Sequence, residues 1–268
     1  MASTGTDRLE TGWLATTPLG DTLLQNFVVH HAACVASVAT VHGGRMLRRD
    51  DVVAADMGRP GGLYNSAVLL QPLIDDVRVV ADVEAWYDGQ GRGEVLLWSA
   101  WPTPDLTARG WVLEGHPPLL IRPPGGSLPA AAHDVAVDPV TDDAQLDDFG
   151  RIVVDGFPLP ELQPYRTHAL FDGRLLNDPR WRLWLARIDG RPVSAGALFV
   201  EHGLAQLSLA ATLPSARGRG AWYALVRTRL QAASGLTSVG IFSDDSRPGI
   251  ERLAFLPITR FTLWRRDR

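Results

Sequence analysis

From Ala210 to Leu230 the chain reads AATLPSARGRGAWYALVRTRL. A short apolar run with strand character gives way to a proline turn, then to Arg217-Gly218-Arg219-Gly220, and an amphipathic helix begins at once. Two glycines let the backbone bend so that successive N–H groups converge on one point. The first helical turn adds its own unpaired N–H groups and a partial positive charge. Arg217 and Arg219 place full charges nearby. Such a unit can hold a diphosphate without lysine or metal. Charge-assisted hydrogen bonds contribute about 1.5–3 kcal/mol each, against about 1 kcal/mol for the helix dipole, so backbone donors dominate. Read alone, the four residues also fit a plain glycine-rich turn with two solvated arginines.

The flanking sequence has a regular rhythm. WRLWLARI (181–188) alternates, Asp189-Gly190 makes a turn, and VSAGALFV (193–200) pairs back. A second turn at His202-Gly203 leads into AQLSLAATL (205–213), so three strands form an antiparallel meander. Upstream, VAVDPV (135–140) reads as a strand and DDAQLDDFGRIVVDGF (142–157) as a helix. Downstream come a helix over 221–233, a strand LTSVGIF (236–242), a short helix over 247–254 and a last strand ITRFTLWR (258–265). The fold class is α/β, a mixed sheet with one β-α-β crossover at its centre.

The 268 residues allow one large domain or two ordinary ones. RPPGGSLPAAA (122–132) interrupts helix and strand alike and reads as a linker between halves. In the first half, residues 22–44 form a helix, Leu63–Leu73 a buried strand and Val95–Ser99 another, closing on proline turns that include Pro117-Pro118. The 22–44 run lacks Asp, Glu and Arg and is long enough to span a bilayer, but Gln25, Asn26, His30, His31 and His42 would need partners in lipid. A buried core helix is the expectation, with no membrane partner. GQGRG (89–93) is followed by an extended segment, so it reads as a loop rather than a phosphate site.

The net charge is −4, a poor start for nucleic-acid binding. All 26 Lys+Arg residues are arginine, which excludes a Schiff-base lysine and a Walker-type lysine. The lone Cys34 forms no intrachain disulfide, and residues 1–13 carry acidic residues and no apolar h-region; both fit a cytoplasmic protein. His30, His31 and Cys34 could mimic a metal cluster, but adjacent histidines do not readily bind one ion on a helix.

The order of hairpins, RGRG loop, helix, strand and short helix resembles the GNAT superfamily of acyl-CoA N-acyltransferases. Their signature is Arg or Gln, two free positions, Gly, one free position, then Gly or Ala. Arg217 and Gly220 fit, with Thr212-Leu213-Pro214 ahead; Trp222 stands in the last place. GIERLAF (249–255) resembles the closing segment, with Ala254 where glycine is usual. The resemblance covers residues 132–268 and implies two central strands that splay apart around acetyl-CoA, the cosubstrate, with no metal. It implies that Ala210, Ala211 and Thr212 meet pantetheine, and that Arg217, Gly218, Arg219, Gly220 and Ala221 hold the diphosphate above Trp222. Ser243 stands where the family often has Asn, and Ser246 at the following helix start, where an N-cap is an equal reading. The first half resembles a degenerate copy, as in tandem GNAT proteins: domain 1–122, linker 123–131, catalytic domain 132–268.

Acyl transfer to an amine needs a base, oxyanion stabilisation and a proton for the leaving thiolate. The family's glutamate position on this strand is Gln206 here, and its usual tyrosine acid is Ile250. Gln206 can orient a water but cannot accept the proton. Ser208, on the same strand face, could relay one; Asp244 or Asp245 could serve as base. Glu201 and His202 read as hairpin-turn residues remote from the thiol. Phe157, Pro158, Tyr165, His168 and Phe171 lie in segments that would line the acceptor site. The implied function is transfer of an acetyl group from acetyl-CoA to a small-molecule amine, with a homodimer left open. The alternative is a catalytically silent CoA-binding sensor or scaffold. A Rossmann domain fits poorly, because the sheet opens with antiparallel hairpins.

Overall fold

The computed structural model describes residues 21–59, 61–62, 65–73, 77–130, 134–157 and 159–267. Helix α1 (Leu23–Val41) starts where the Thr22 side chain accepts the Gln25 N–H. It is apolar on nearly every face and long enough to cross a membrane; it lies between two sheets, packing Phe27, Val28 and Ala32 on one cluster and Cys34 and Val38 on another. A helix that is hydrophobic all round has to be buried, and two sheets supply the cover.

The first half contributes β1 (Arg45–Arg48), β2 (Val52–Asp56), β3 (Ser66–Leu69), α2 (Arg78–Gly89), β4 (Val95–Ser99), β5 (Trp111–Gly115) and β6 (Pro118–Arg122). The second contributes β7 (Val135–Pro139), α3 (Asp143–Gly156), β8 (Trp181–Ile188), β9 (Arg191–Glu201), β10 (Leu204–Thr212), α4 (Ala221–Ala232), β11 (Thr237–Ile241), α5 (Arg247–Glu251), β12 (Leu256–Arg260) and β13 (Thr262–Arg266). One sheet runs β1-β2-β3-β4-β13-β5, the other β12-β6-β11-β10-β9-β8-β7.

The two sheets repeat one plan. An antiparallel meander (β1-β2-β3, or β8-β9-β10) crosses through a helix to a parallel neighbour: β3 through α2 to β4, and β10 through α4 to β11. Each half then ends in two strands, and the second of each pair enters the other half's sheet. β6 sits between β11 and β12, and β13 between β4 and β5. Neither sheet is continuous without the other half.

This exchange corrects several expectations. The single last strand over 258–265 is two strands in different sheets, parted at fully buried Phe261, whose ring meets Phe27 of α1 edge-on. Pro117-Pro118 is no mere turn, since Pro118 opens β6; the expected boundary after residue 122 therefore cuts β6 from the strands it pairs with. Residues 123–130 form neither helix nor strand. The strand expected over 63–73 is confined to Ser66–Leu69, and its first two residues lie outside the described residues. The short helix over 247–254 ends at Glu251. β8 does not alternate: Leu183 through Ala186 are all buried, because α3 covers one face of this sheet and α4 the other.

Polar contacts also tie the halves. Asp172 accepts from His42 Nδ1 at 3.0 Å and pairs with Arg174 at 2.7 Å and Arg59 at 3.4 Å. The Arg174 hydrogen bond holds the Asp172 carboxyl well below the usual range, against the opposing effect of burial.

Candidate functional site

β10 and β11 pair only where Leu204–Gln206 meets Thr237–Val239, although both strands run further. Beyond that point they part. On its other edge β10 slips register against β9 between Ser208 and Ala211, and Leu209 takes φ +50°. An extra residue in one strand bends it and strengthens its twist, which drives the two strands apart.

The opening is a cleft of about 630 Å³. Ala210, Ala211 and Thr212 of β10 line one wall; Ser243, Asp245, Ser246, Pro248, Gly249 and Arg252 line the other. Its floor is the 217–222 segment, and Gly156 and Phe157 close one end. Gly156 must be glycine for α3 to approach β10, since a Cβ there would stand 2.8 Å from that of Ala211.

Pro214 opens a 3₁₀ turn that ends at Ala216, and Gly218 and Gly220 follow with φ +76° and +83°, angles that side chains resist. The first intrahelical bond of α4 runs from Ala224 N–H to Gly220 C=O at 3.0 Å. Among the described residues, the backbone N–H groups from Gly218 to Tyr223 have no protein acceptor. The Arg217 guanidinium donates to the Gly156 and Thr212 carbonyls at 3.3 and 3.4 Å, neutral partners, and no carboxylate among the described residues pairs with it. Arg252 adds a second cation on the far wall.

Not every expected contact is made by a side chain. Arg219 turns out to Asp189 at 3.3 Å, leaving only its backbone to the loop. The Trp222 ring extends across to α5, where a Cβ on Gly249 would come within 2.9 Å of it, so it fills the gap between the two helices. Ser246 makes no side-chain cap; Ser243 Oγ instead accepts the Ser246 N–H at 3.2 Å.

No protein-family model matches the sequence, and no curated protein matches it. Solved structures do. A GCN5-related N-acetyltransferase from Kribbella flavida superposes with a TM-score of 0.66 at 16% identity, over 91% of this chain and 95% of that one. A GNAT-family protein from Novosphingobium aromaticivorans DSM 12444 gives 0.53 at 17%, over 88% and 98%. A tandem GNAT protein from the clavulanic acid biosynthesis pathway gives 0.51 at 14%, over 91% and 94%. The chain has the GNAT fold.

Within that fold the two halves are unequal. Where the second half has its RGRG loop between strand and crossover helix, the first has LQPLIDDV (70–77), with two aspartates and neither glycine nor arginine. The arginine-glycine pattern read as an anion loop thus occurs in the second half and not in this stretch of the first.

The side chains expected to do chemistry are dispersed. Gln206 is buried and faces α1, its Nε2 3.4 Å from His31 Nδ1, while its Oε1 has no partner among the described residues. Ser208 is half-buried and does not line the cleft. Asp244 points to Arg260, which holds both carboxylate oxygens at 2.7 and 3.1 Å and keeps the carboxyl below its usual range, a poor setting for a base. Asp245 is the acidic residue of the cleft. Phe157, 40% exposed, lines the cleft, but Tyr165 donates to Asp147 Oδ1 at 2.7 Å, and the His168 N–H donates to the same oxygen at 2.9 Å. His168 lines a separate cavity beside Arg59 and Glu161. Phe171 is core, stacked on His42, and Pro158 lies outside the described residues. His202 sits in the β9–β10 turn with φ +47°; His30 Nδ1 lies 2.9 Å from the Glu201 carbonyl. Two residues escape a sequence reading: Arg252, visible only as a charge on the closing segment, and Arg229, a charge on the buried face of α4.

Proposed function

We propose that this chain is an N-acetyltransferase that moves an acetyl group from acetyl-CoA to a small-molecule amine in the cytoplasm. The observation that carries the reading is the run of acceptor-free amides from Gly218 to Tyr223 at the mouth of two diverging strands. A diphosphate is the ligand this donor set suits, since Arg217 and Arg252 supply charge and the amides supply direction. The pantetheine arm then runs along Ala210–Thr212 toward the bulge, where a β10 N–H meets the thioester oxygen. The amine nitrogen attacks the carbonyl carbon, the C–N bond forms as the C–S bond breaks, and the proton lost by the nitrogen ends on the departing thiolate, giving the amide and free CoA thiol. Among the described residues that line the cleft, Asp245 is the carboxylate assigned in this reading to take the amine proton. Phe157 offers the acceptor an apolar surface at the cleft end.

Gln206 and Ile250 favour one competing reading, a module that binds CoA without turnover, because neither can act as base or acid. Thiol release from acetyl-CoA across a panel of small amines separates the two. Turnover with any amine supports the transferase; intact acetyl-CoA binding with no thiol release from the whole panel supports the binding module.

A further inference from the structure

Arg229 is 1% exposed, and among the described residues no carboxylate pairs with it. Its guanidinium bonds to carbonyls: Nε to Leu225 on its own helix at 3.3 Å, and Nη1 to Ala197 on β9 at 3.2 Å and Ser208 on β10 at 3.3 Å. Burial lowers its pKa to about 9, so it still carries charge at neutral pH. Gly196 makes the room, for a Cβ there would stand 3.1 Å from the guanidinium carbon.

The place of these contacts matters more than their number. Ala197 and Ser208 are the last regular pair of the β9–β10 ladder before the slip. The next residue, Leu209, holds a left-handed backbone that a leucine resists. Such a conformation persists only when its surroundings fix it, and here one side chain pins both strands where the distortion begins. Ala210, the first cleft-lining residue of β10, follows directly.

We propose that Arg229 is a positioning residue that holds the β10 bulge open, and so sets the direction of the Ala210–Thr212 main chain along the cleft. It touches no ligand itself. The proposal rests on the acetyl-CoA reading and concerns the pantetheine arm alone; the diphosphate loop follows the end of β10, and its left-handed turns are made by Gly218 and Gly220, two turns of α4 or more from Arg229.

Calorimetry with two probes tests it: acetyl-CoA, and 3′-phospho-ADP, which keeps the diphosphate and lacks the pantetheine arm. Arg229→Met is expected to weaken acetyl-CoA binding about tenfold or more, the loss of one or two main-chain hydrogen bonds, with 3′-phospho-ADP affinity unchanged. Arg229→Lys, which keeps the charge and can reach one carbonyl, recovers part of the loss. Gly196→Ala crowds the guanidinium without removing it and gives the same split at smaller size, and it decides the matter if Arg229→Met does not fold. Equal acetyl-CoA affinity in the variants and the parent, or an equal fall for both probes, overturns the proposal. Failure of the unmodified chain to bind acetyl-CoA is a separate result, and it removes the CoA reading itself.

Discussion

Gly220→Val is expected to weaken acetyl-CoA binding about a hundredfold or more while leaving the chain folded. Gly220 caps α4 with φ +83° and ψ −7°. A β-branched residue resists that conformation by about 1–2 kcal/mol or more, so the backbone leaves it and the amides around it no longer converge. Losing two charge-assisted hydrogen bonds at about 1.5–3 kcal/mol each gives a factor of about 10²–10⁴ in affinity. The cost to stability stays near the local strain, because the loop is on the surface and α4 keeps its packing against β8, β9 and β10. Calorimetric titration with acetyl-CoA, beside a melting curve, reads both quantities. Affinity within threefold of the parent would show that these amides do not hold the ligand.

The second large effect is on stability in mild acid. His30 and His31 are buried on α1, and burial lowers both to a pKa of about 4 from an unfolded value near 6.5. The folded state thus binds fewer protons, so their contribution is complete above pH 6.5 and is lost as pH falls toward 4. Each histidine costs about 2 kcal/mol between pH 7 and pH 5, about 4 kcal/mol together, a large part of an ordinary domain's stability. His42, lowered by burial in spite of Asp172, adds in the same direction. The carboxylates follow later: Asp172 and Asp178 lie below their usual value, so their stabilising effect is lost only as pH falls below about 4. Urea unfolding at pH 7 and pH 5 should show the drop, and the double variant His30→Gln, His31→Phe should flatten it. A parent whose stability is level between those pH values would contradict the assignment.

What could be read in the sequence follows the range of the interactions. The β8-β9-β10 meander is legible because its turns are local: Asp189-Gly190 and His202-Gly203 adopt the left-handed angles that two-residue hairpins need. The RGRG loop is legible for the same reason, as proline, glycines and helix start all lie within nine residues, 213–221. α2 shows a helical stripe at Val80, Val83 and Tyr87, a signal the sequence contains. The strand exchange is different. Nothing near Pro118 or Thr262 tells β6 and β13 to enter the opposite sheets; their partners lie more than a hundred residues away, and an apolar strand pairs equally well with either sheet until the whole core is assembled.

The same limit governs the site. Glycine positions and backbone donors came from local pattern, and the cleft gathers nearly all of them. Side chains chosen for chemistry depended on facing, and facing depends on distant elements. Gln206 turns to His31 because α1 of the first half covers that side of β10. Asp244 is taken by Arg260, a residue of the exchanged hairpin. Arg229 reads as an ordinary helix arginine until Gly196, on β9, gives it room.

Amide hydrogen exchange at the 213–224 segment, followed with and without saturating acetyl-CoA, bears most directly on the central claim. If an anionic tail seats on the free amides from Gly218 to Tyr223, those positions should slow markedly on addition of acetyl-CoA, whereas the exposed turn at Gly190 should exchange as before. Unchanged exchange across 218–223 at ligand saturation would mean that the loop holds nothing, and the functional reading would go with it.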